Sequence, residues 1–136
     1  MRHTLPDVDP IEAIVARLVA RGIPHEVGGR QVVVSPRDET GFSVSLRTKG
    51  AKYRVSFDGW HEHFATEKEA LNCFSFGLTS QCRLRITRRW GMKCAWAVES
   101  KAGDDWHTDS ETGLLIIPWW AAKTIEYRQN DWWRPS

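Results

Sequence analysis

Two histidines one residue apart, His61 and His63, are the tightest group of chemistry-bearing side chains in the sequence. On a strand, alternate residues share a face, so this His-x-His would present two imidazoles to one metal ion, with His107, flanked by Asp105 and Asp109, as the third ligand. Such a site would make the protein a metal-dependent enzyme. Against it, the preceding strand seats Arg54 beside His63, a cation where a second cation has to bind, and no cysteine or carboxylate stands at metal-ligand spacing nearby. The simpler account is two imidazoles on the wet face of a hairpin. Cys73, Cys82 and Cys94 fall on or beside apolar stripes, an odd number without CxxC spacing, and read as buried thiols rather than as nucleophiles or disulfides. No G-x-S-x-G elbow, P-loop or G-x-G-x-x-G is present, so the sequence supplies no catalytic motif and implies no cofactor.

A second group is cationic. Residues 70 to 98 carry five basic and no acidic side chains, and residues 99 to 111 carry five acids against Lys101. In a hairpin turning at Trp90-Gly91, strand alternation places Arg83, Arg85 and Arg89 on one outer face, with Lys93, Ala95 and Ala97 beside them on the returning strand. That row would lie along a phosphate backbone while Trp90 stacks on an unpaired base, the pattern of a single-stranded nucleic-acid binder. The competing account is that the basic and acidic blocks neutralise each other within the fold.

The third group is aromatic. Eight tryptophans occur in 136 residues, including the doublets Trp119-Trp120 and Trp132-Trp133, the second followed by Arg134. Neighbouring side chains of extended chain point to opposite faces, so one ring of each doublet is expected to stay outside the core. Trp and Arg are enriched at protein interfaces. Trp119, Trp120, Trp132, Trp133 and Arg134 are therefore the first candidates for a contact with a second copy of the chain or with a partner protein.

The elements that must position these groups follow from periodicity. Asp9-Pro10 starts a helix with Ile11, Ile14, Val15, Leu18 and Val19 at helical spacing, ending at Gly22. Val27 and Val32 to Val34 flank a Gly28-Gly29 turn; Phe42, Val44 and Leu46 alternate up to Lys49-Gly50; and Tyr53, Val55 and Phe57 alternate up to Asp58-Gly59. A two-residue turn at Asp58-Gly59 pairs Phe57 with Trp60, Ser56 with His61, Val55 with Glu62, Arg54 with His63 and Tyr53 with Phe64. Thr66 and Glu69 form a capping box for a second helix over about 66 to 77, with Leu71, Phe74 and Leu78 as its stripe. Cys82, Leu84 and Ile86, then Cys94, Trp96 and Val98, face inward in the next hairpin. Residues 100 to 113 read as a polar loop, Leu114 to Ile117 as a short apolar strand broken by Pro118, and Thr124 to Arg128 as a last strand.

This order predicts one α+β domain of two helices on antiparallel meanders, with the halves 9–64 and 66–128 as a possible internal duplication. Length and an ordinary charged fraction of 26% agree with a single core. The longest charge-free apolar stretch, Leu114 to Ala122, is too short for a membrane span, and the start has no apolar signal-type segment, so a soluble, cytoplasmic protein is expected. The reading is a binding module that self-associates or meets a partner protein through its Trp-rich C-terminal surface. A nucleic-acid binder using Arg83, Arg85, Arg89, Trp90 and Lys93 is the alternative, and a metal enzyme the third.

Overall fold

The computed structural model describes residues 9–114 and 120–133. Asp9 accepts the Ile11 backbone N–H on Oδ1 at 3.0 Å and Pro10 takes the first helical position, which starts α1 (Pro10–Ala20). Ile11, Ile14 and Leu18 are buried, and Val19 faces water. Five strands follow as a straight antiparallel meander, β1 (Glu26–Gly28), β2 (Gln31–Val34), β3 (Val44–Lys49), β4 (Lys52–Phe57) and β5 (Trp60–Phe64). The β4–β5 register is the expected one at all five pairs. Two turns sit one residue later than the dipeptides suggest. Gly28 pairs with Gln31 and Lys49 with Lys52, so the loops are Gly29-Arg30 and Gly50-Ala51.

Thr66 caps α2 (Glu67–Gly77), its Oγ1 accepting the Glu69 N–H at 3.3 Å and donating to Glu69 Oε1 at 2.7 Å. Both helices pack on the first sheet, and α2 also touches the second. The second sheet holds β6 (Cys82–Arg89), β7 (Met92–Ala102), β8 (Asp105–Gly113) and β9 (Lys123–Arg128), in the order β8-β7-β6-β9. Both sheets are antiparallel, which makes the fold α+β. Each half is a helix followed by a sheet, but their strand orders differ, because β9 returns to the far side of β6.

The polar loop expected over 100 to 113 is instead the end of β7 and all of β8. Asp105-Trp106-His107-Thr108-Asp109-Ser110-Glu111-Thr112 alternates, but with hydroxyls where a strand ordinarily carries hydrocarbon. A bulge between Val98 and Glu99 leaves Asp109 without a cross-strand partner, and Ser110 and Thr112 then turn toward the first sheet. There the Trp60 indole N–H donates to Ser110 Oγ at 3.1 Å, and Thr112 Oγ1 donates to the His61 carbonyl at 3.4 Å. Polar inward positions are stable here because each hydroxyl finds an acceptor or donor. The expected strand 114–117 lies outside the described residues except Leu114.

One core draws on α1, α2 and both sheets, with Phe57, Phe74, Leu46, Leu78, Leu84 and Ile86 among its fully buried members. At the seam, the Trp96 indole N–H and Lys93 Nζ both donate to Asp58 Oδ2, at 2.8 and 2.9 Å. Burial would raise the Asp58 carboxyl, but these hydrogen bonds, the Lys93 charge and the Gly59 N–H outweigh it and hold it below the usual carboxylate range. Gly59 lies so close to the Trp96 ring that a Cβ would enter the indole.

Candidate interaction surface

Because Cys82, Leu84 and Ile86 enter the core, Arg83, Arg85, Thr87 and Arg89 must point out of the second sheet. Their partners on β9 are Tyr127, Ile125 and Lys123, so this edge strand turns its apolar side chains to water, with Tyr127 50% and Ile125 45% exposed. The inner side of β9 is polar instead. There Glu126 accepts from both Arg88 and Arg128, whose hydrogen bonds and charges hold its carboxyl below the usual range despite some burial.

At the end of this face stands an aromatic pair. Trp90 and Trp120 meet edge-to-face with ring centroids 5.5 Å apart, and are 71% and 63% exposed. Trp90 and Gly91 form the β6–β7 turn, with φ of 54° and 75°. Two positive φ values in a two-residue loop define a type I′ turn, whose first position favours Asn, Asp or Gly. A tryptophan there has its backbone in a costly region, and little of its ring is buried in return. Six of the eight large hydrophobics exposed among the described residues belong to this sheet and its connections: Trp90, Met92, Leu114, Trp120, Ile125 and Tyr127.

The C-terminal doublet goes elsewhere. The chain bends at Trp132, and the backbone N–H groups of Trp132 and Trp133 both donate to the Leu78 carbonyl, at 3.0 and 3.1 Å. Because the chain bends, both rings pack on the protein's own core, half-buried, rather than splitting across two faces. Arg37 covers the Trp132 ring at 4.2 Å and Arg21 the Trp133 ring at 3.8 Å. Asn130, 3% exposed, anchors the segment: its Oδ1 accepts the Phe42 N–H, and its Nδ2 donates to the Phe42 and Gly77 carbonyls. Of the five aromatic-tail candidates, Trp120 is on the surface with Trp90, Trp132 and Trp133 are used within the fold, and Trp119 and Arg134 lie outside the described residues.

The basic hairpin is occupied by internal acceptors. Arg83 Nε and Arg85 Nη1 hold the two oxygens of buried Glu99 at 2.6 and 2.9 Å, and Thr108 Oγ1 donates to the second of these oxygens at 3.2 Å. Arg83 is also stacked between Trp106 and Tyr127, at 4.5 and 3.9 Å. Arg88 bonds Glu126, and Arg89 donates to the Ala121 carbonyl at 2.6 Å. Lys93 is not on the outer face expected of it. A bulge between Thr87 and Arg88 passes over Cys94 and pairs Lys93 with Arg88, which turns Lys93 inward to Asp58. Sequence alternation had no means to show that extra residue.

The histidines do not gather. His61 and His63 share a face with rings 6.0 Å apart and Arg54 beside His63, while His107 pairs with Ser100 on the other sheet. Among the described residues no three His, Cys, Asp or Glu side chains are grouped to hold a metal ion. Burial, with the Glu62 charge, pushes the Cys73 thiol up to about 12, and burial raises that of Cys82 as well, so neither is a thiolate at neutral pH. Among the described residues no helix is long and apolar enough to cross a membrane. Comparison of the chain with protein-family models, with curated proteins and with solved structures found no match.

Proposed function

We propose that this protein is an interaction module that self-associates through the outer face of its second sheet, with Trp90 and Trp120 as the central contacts. One observation carries the reading: a tryptophan in the left-handed region at a hairpin tip, largely exposed and meeting a second exposed tryptophan edge-on. A residue held at a backbone cost, with its ring in water, fits a role outside its own fold. Around the pair, Met92, Ile125 and Tyr127 supply apolar area, while Lys123 on the same face and Glu111 on β8 supply both signs of charge. A face carrying both signs can be complementary to itself across a two-fold axis, which is the geometry of most homodimers. In sedimentation equilibrium, Trp90→Ala with Trp120→Ala is expected to weaken association by about tenfold or more, equivalent to about 1.4 kcal/mol, with an unchanged circular dichroism spectrum. Association that is unaltered in this variant overturns the proposal.

A further inference from the structure

The solvent face of the first sheet carries a cation row that the self-association reading does not use. Alternation along β2 to β5 puts Gln31, Arg47, Arg54 and His63 in line across four strands, since Gln31 pairs with Arg47, Arg47 with Arg54, and Arg54 with His63. Lys49 pairs with Lys52 at the end of the same hairpin. Like charges directly opposite on neighbouring strands repel, and here two such pairs, Arg47 with Arg54 and Lys49 with Lys52, follow each other on one hairpin. Arg47, Lys49, Lys52, Arg54 and His63 are all exposed. Among the described residues, no carboxylate lies within ion-pair distance of any of the four Lys and Arg side chains. The contrast with the second sheet is sharp, where each of the five basic side chains of the hairpin has an acceptor inside the protein. The four cations and His63 border one cleft with Tyr53. The next row on that face, Val33, Ser45, Ser56 and His61, holds no carboxylate, and Glu26 stands beyond Val33 on the far strand, β1.

We propose that this face binds the phosphate backbone of a nucleic acid without reading its sequence. Neighbouring strands lie about 4.8 Å apart, so Arg47, Arg54 and His63 form a ladder of donors about 10 Å long, enough to meet consecutive phosphates. Arginine forks match phosphate oxygens bidentately. Tyr53, which also packs on the core, is the one aromatic ring among the residues that line the cleft, which suits contact with backbone rather than with bases. A bound polyanion would also relieve the two like-charge pairs.

The test is fluorescence anisotropy of the full chain with a labelled single-stranded oligonucleotide of mixed sequence, in parallel with Arg47→Gln plus Arg54→Gln. With the four Lys and Arg side chains each neutralising one phosphate, the wild type is expected to bind with a log–log salt slope of about −2.8, so that affinity falls about 50-fold between 50 and 200 mM salt. In the double variant, which keeps Lys49 and Lys52, the slope is expected to drop to about −1.4. Removing two mutually repelling cations does not endanger the fold, and a melting temperature no lower than that of the wild type checks this. No binding at low salt, or binding equally strong in the double variant, overturns the proposal. Displacement of the oligonucleotide by polyglutamate at equal charge concentration also overturns it, in favour of an acidic protein partner.

Discussion

Replacing Trp90 with Asn separates the cost of its backbone from the use of its ring. With φ at 54°, Trp90 occupies the left-handed region, which costs a bulky L-residue about 1–2 kcal/mol and costs Asn less. Against this gain stands the edge-to-face contact with Trp120 at 5.5 Å, which contributes about 0.5 kcal/mol, the lower end of the range for aromatic pairs, because both rings are wet. Burial contributes little, since the ring is 71% exposed. Trp90→Asn is therefore expected to stabilise the fold by about 0.5 kcal/mol alone and by about 1 kcal/mol when Trp120 is already Ala, the second figure being a rise in Tm of roughly 3–5 °C. The assay is urea or thermal unfolding of the four proteins of this cycle, extrapolated to low protein concentration because association itself raises Tm. The same Asn variant is expected to associate more weakly, so stability and association move in opposite directions. A loss of more than about 1 kcal/mol in both backgrounds would show that the Trp90 ring is anchored in its own fold, and would refute the reasoning.

Asn130→Ala leaves the Phe42 N–H and the Phe42 and Gly77 carbonyls without their partner; it is expected to cost about 3 kcal/mol, seen as a fall in Tm of roughly 9–15 °C. Gly59→Ala drives a methyl into the Trp96 ring and should lower the urea midpoint by the equivalent of about 1–3 kcal/mol, without a change in m-value. Asp58 and Glu126 titrate lower in the folded protein than in the unfolded chain, so the unfolded state binds more protons in acid. Their stabilisation is present above about pH 4 and is lost as pH falls through the lowered values, and Asp58→Asn should flatten part of that decline in a pH series of unfolding curves. Cys82, fully buried, should react with a thiol reagent at neutral pH only at the rate of unfolding, and immediate reaction of it in native buffer would contradict its burial, whereas the half-buried Cys73 should react slowly because its thiol is held protonated.

The parts of the fold legible in the sequence are those where local chemistry and burial agree. Asp9-Pro10 and Thr66 with Glu69 mark helix starts because capping is a local contact, and Asp58-Gly59 between two alternating runs determines the β4–β5 register. What escaped is what depends on distant partners. β8 looks like a loop because Ser110 and Thr112 are inward only by virtue of Trp60 and the His61 carbonyl, far away in sequence. Its alternation of charged residues with Trp, Thr and Ser was a usable signal, since that period does not require hydrocarbon. Bulges at Cys94 and Asp109 shift the faces of Lys93 and of the second half of β8, and a bulge leaves no mark in composition. The Trp132-Trp133 doublet shows the same limit. Its aromatic content was plain, but its fate was decided by the Leu78 carbonyl and by Arg21 and Arg37. The Arg54–His63 pair followed from the Asp58-Gly59 register, but the Arg47–Arg54 pair did not, because a turn at Lys49-Gly50 would set Arg47 opposite Lys52; the row emerges as a site only with the observed Gly50-Ala51 loop and once the neighbouring carboxylates are known to lie elsewhere.

The central claim is that the outer face of the second sheet, with Trp90 and Trp120 at its end, joins two copies of the chain. Light scattering over a concentration series measures this directly. A mass that rises from monomer to dimer with concentration, and stays monomeric in the Trp90→Ala, Trp120→Ala variant, is the expected result. A monomeric mass for the wild-type chain at every concentration would contradict the claim.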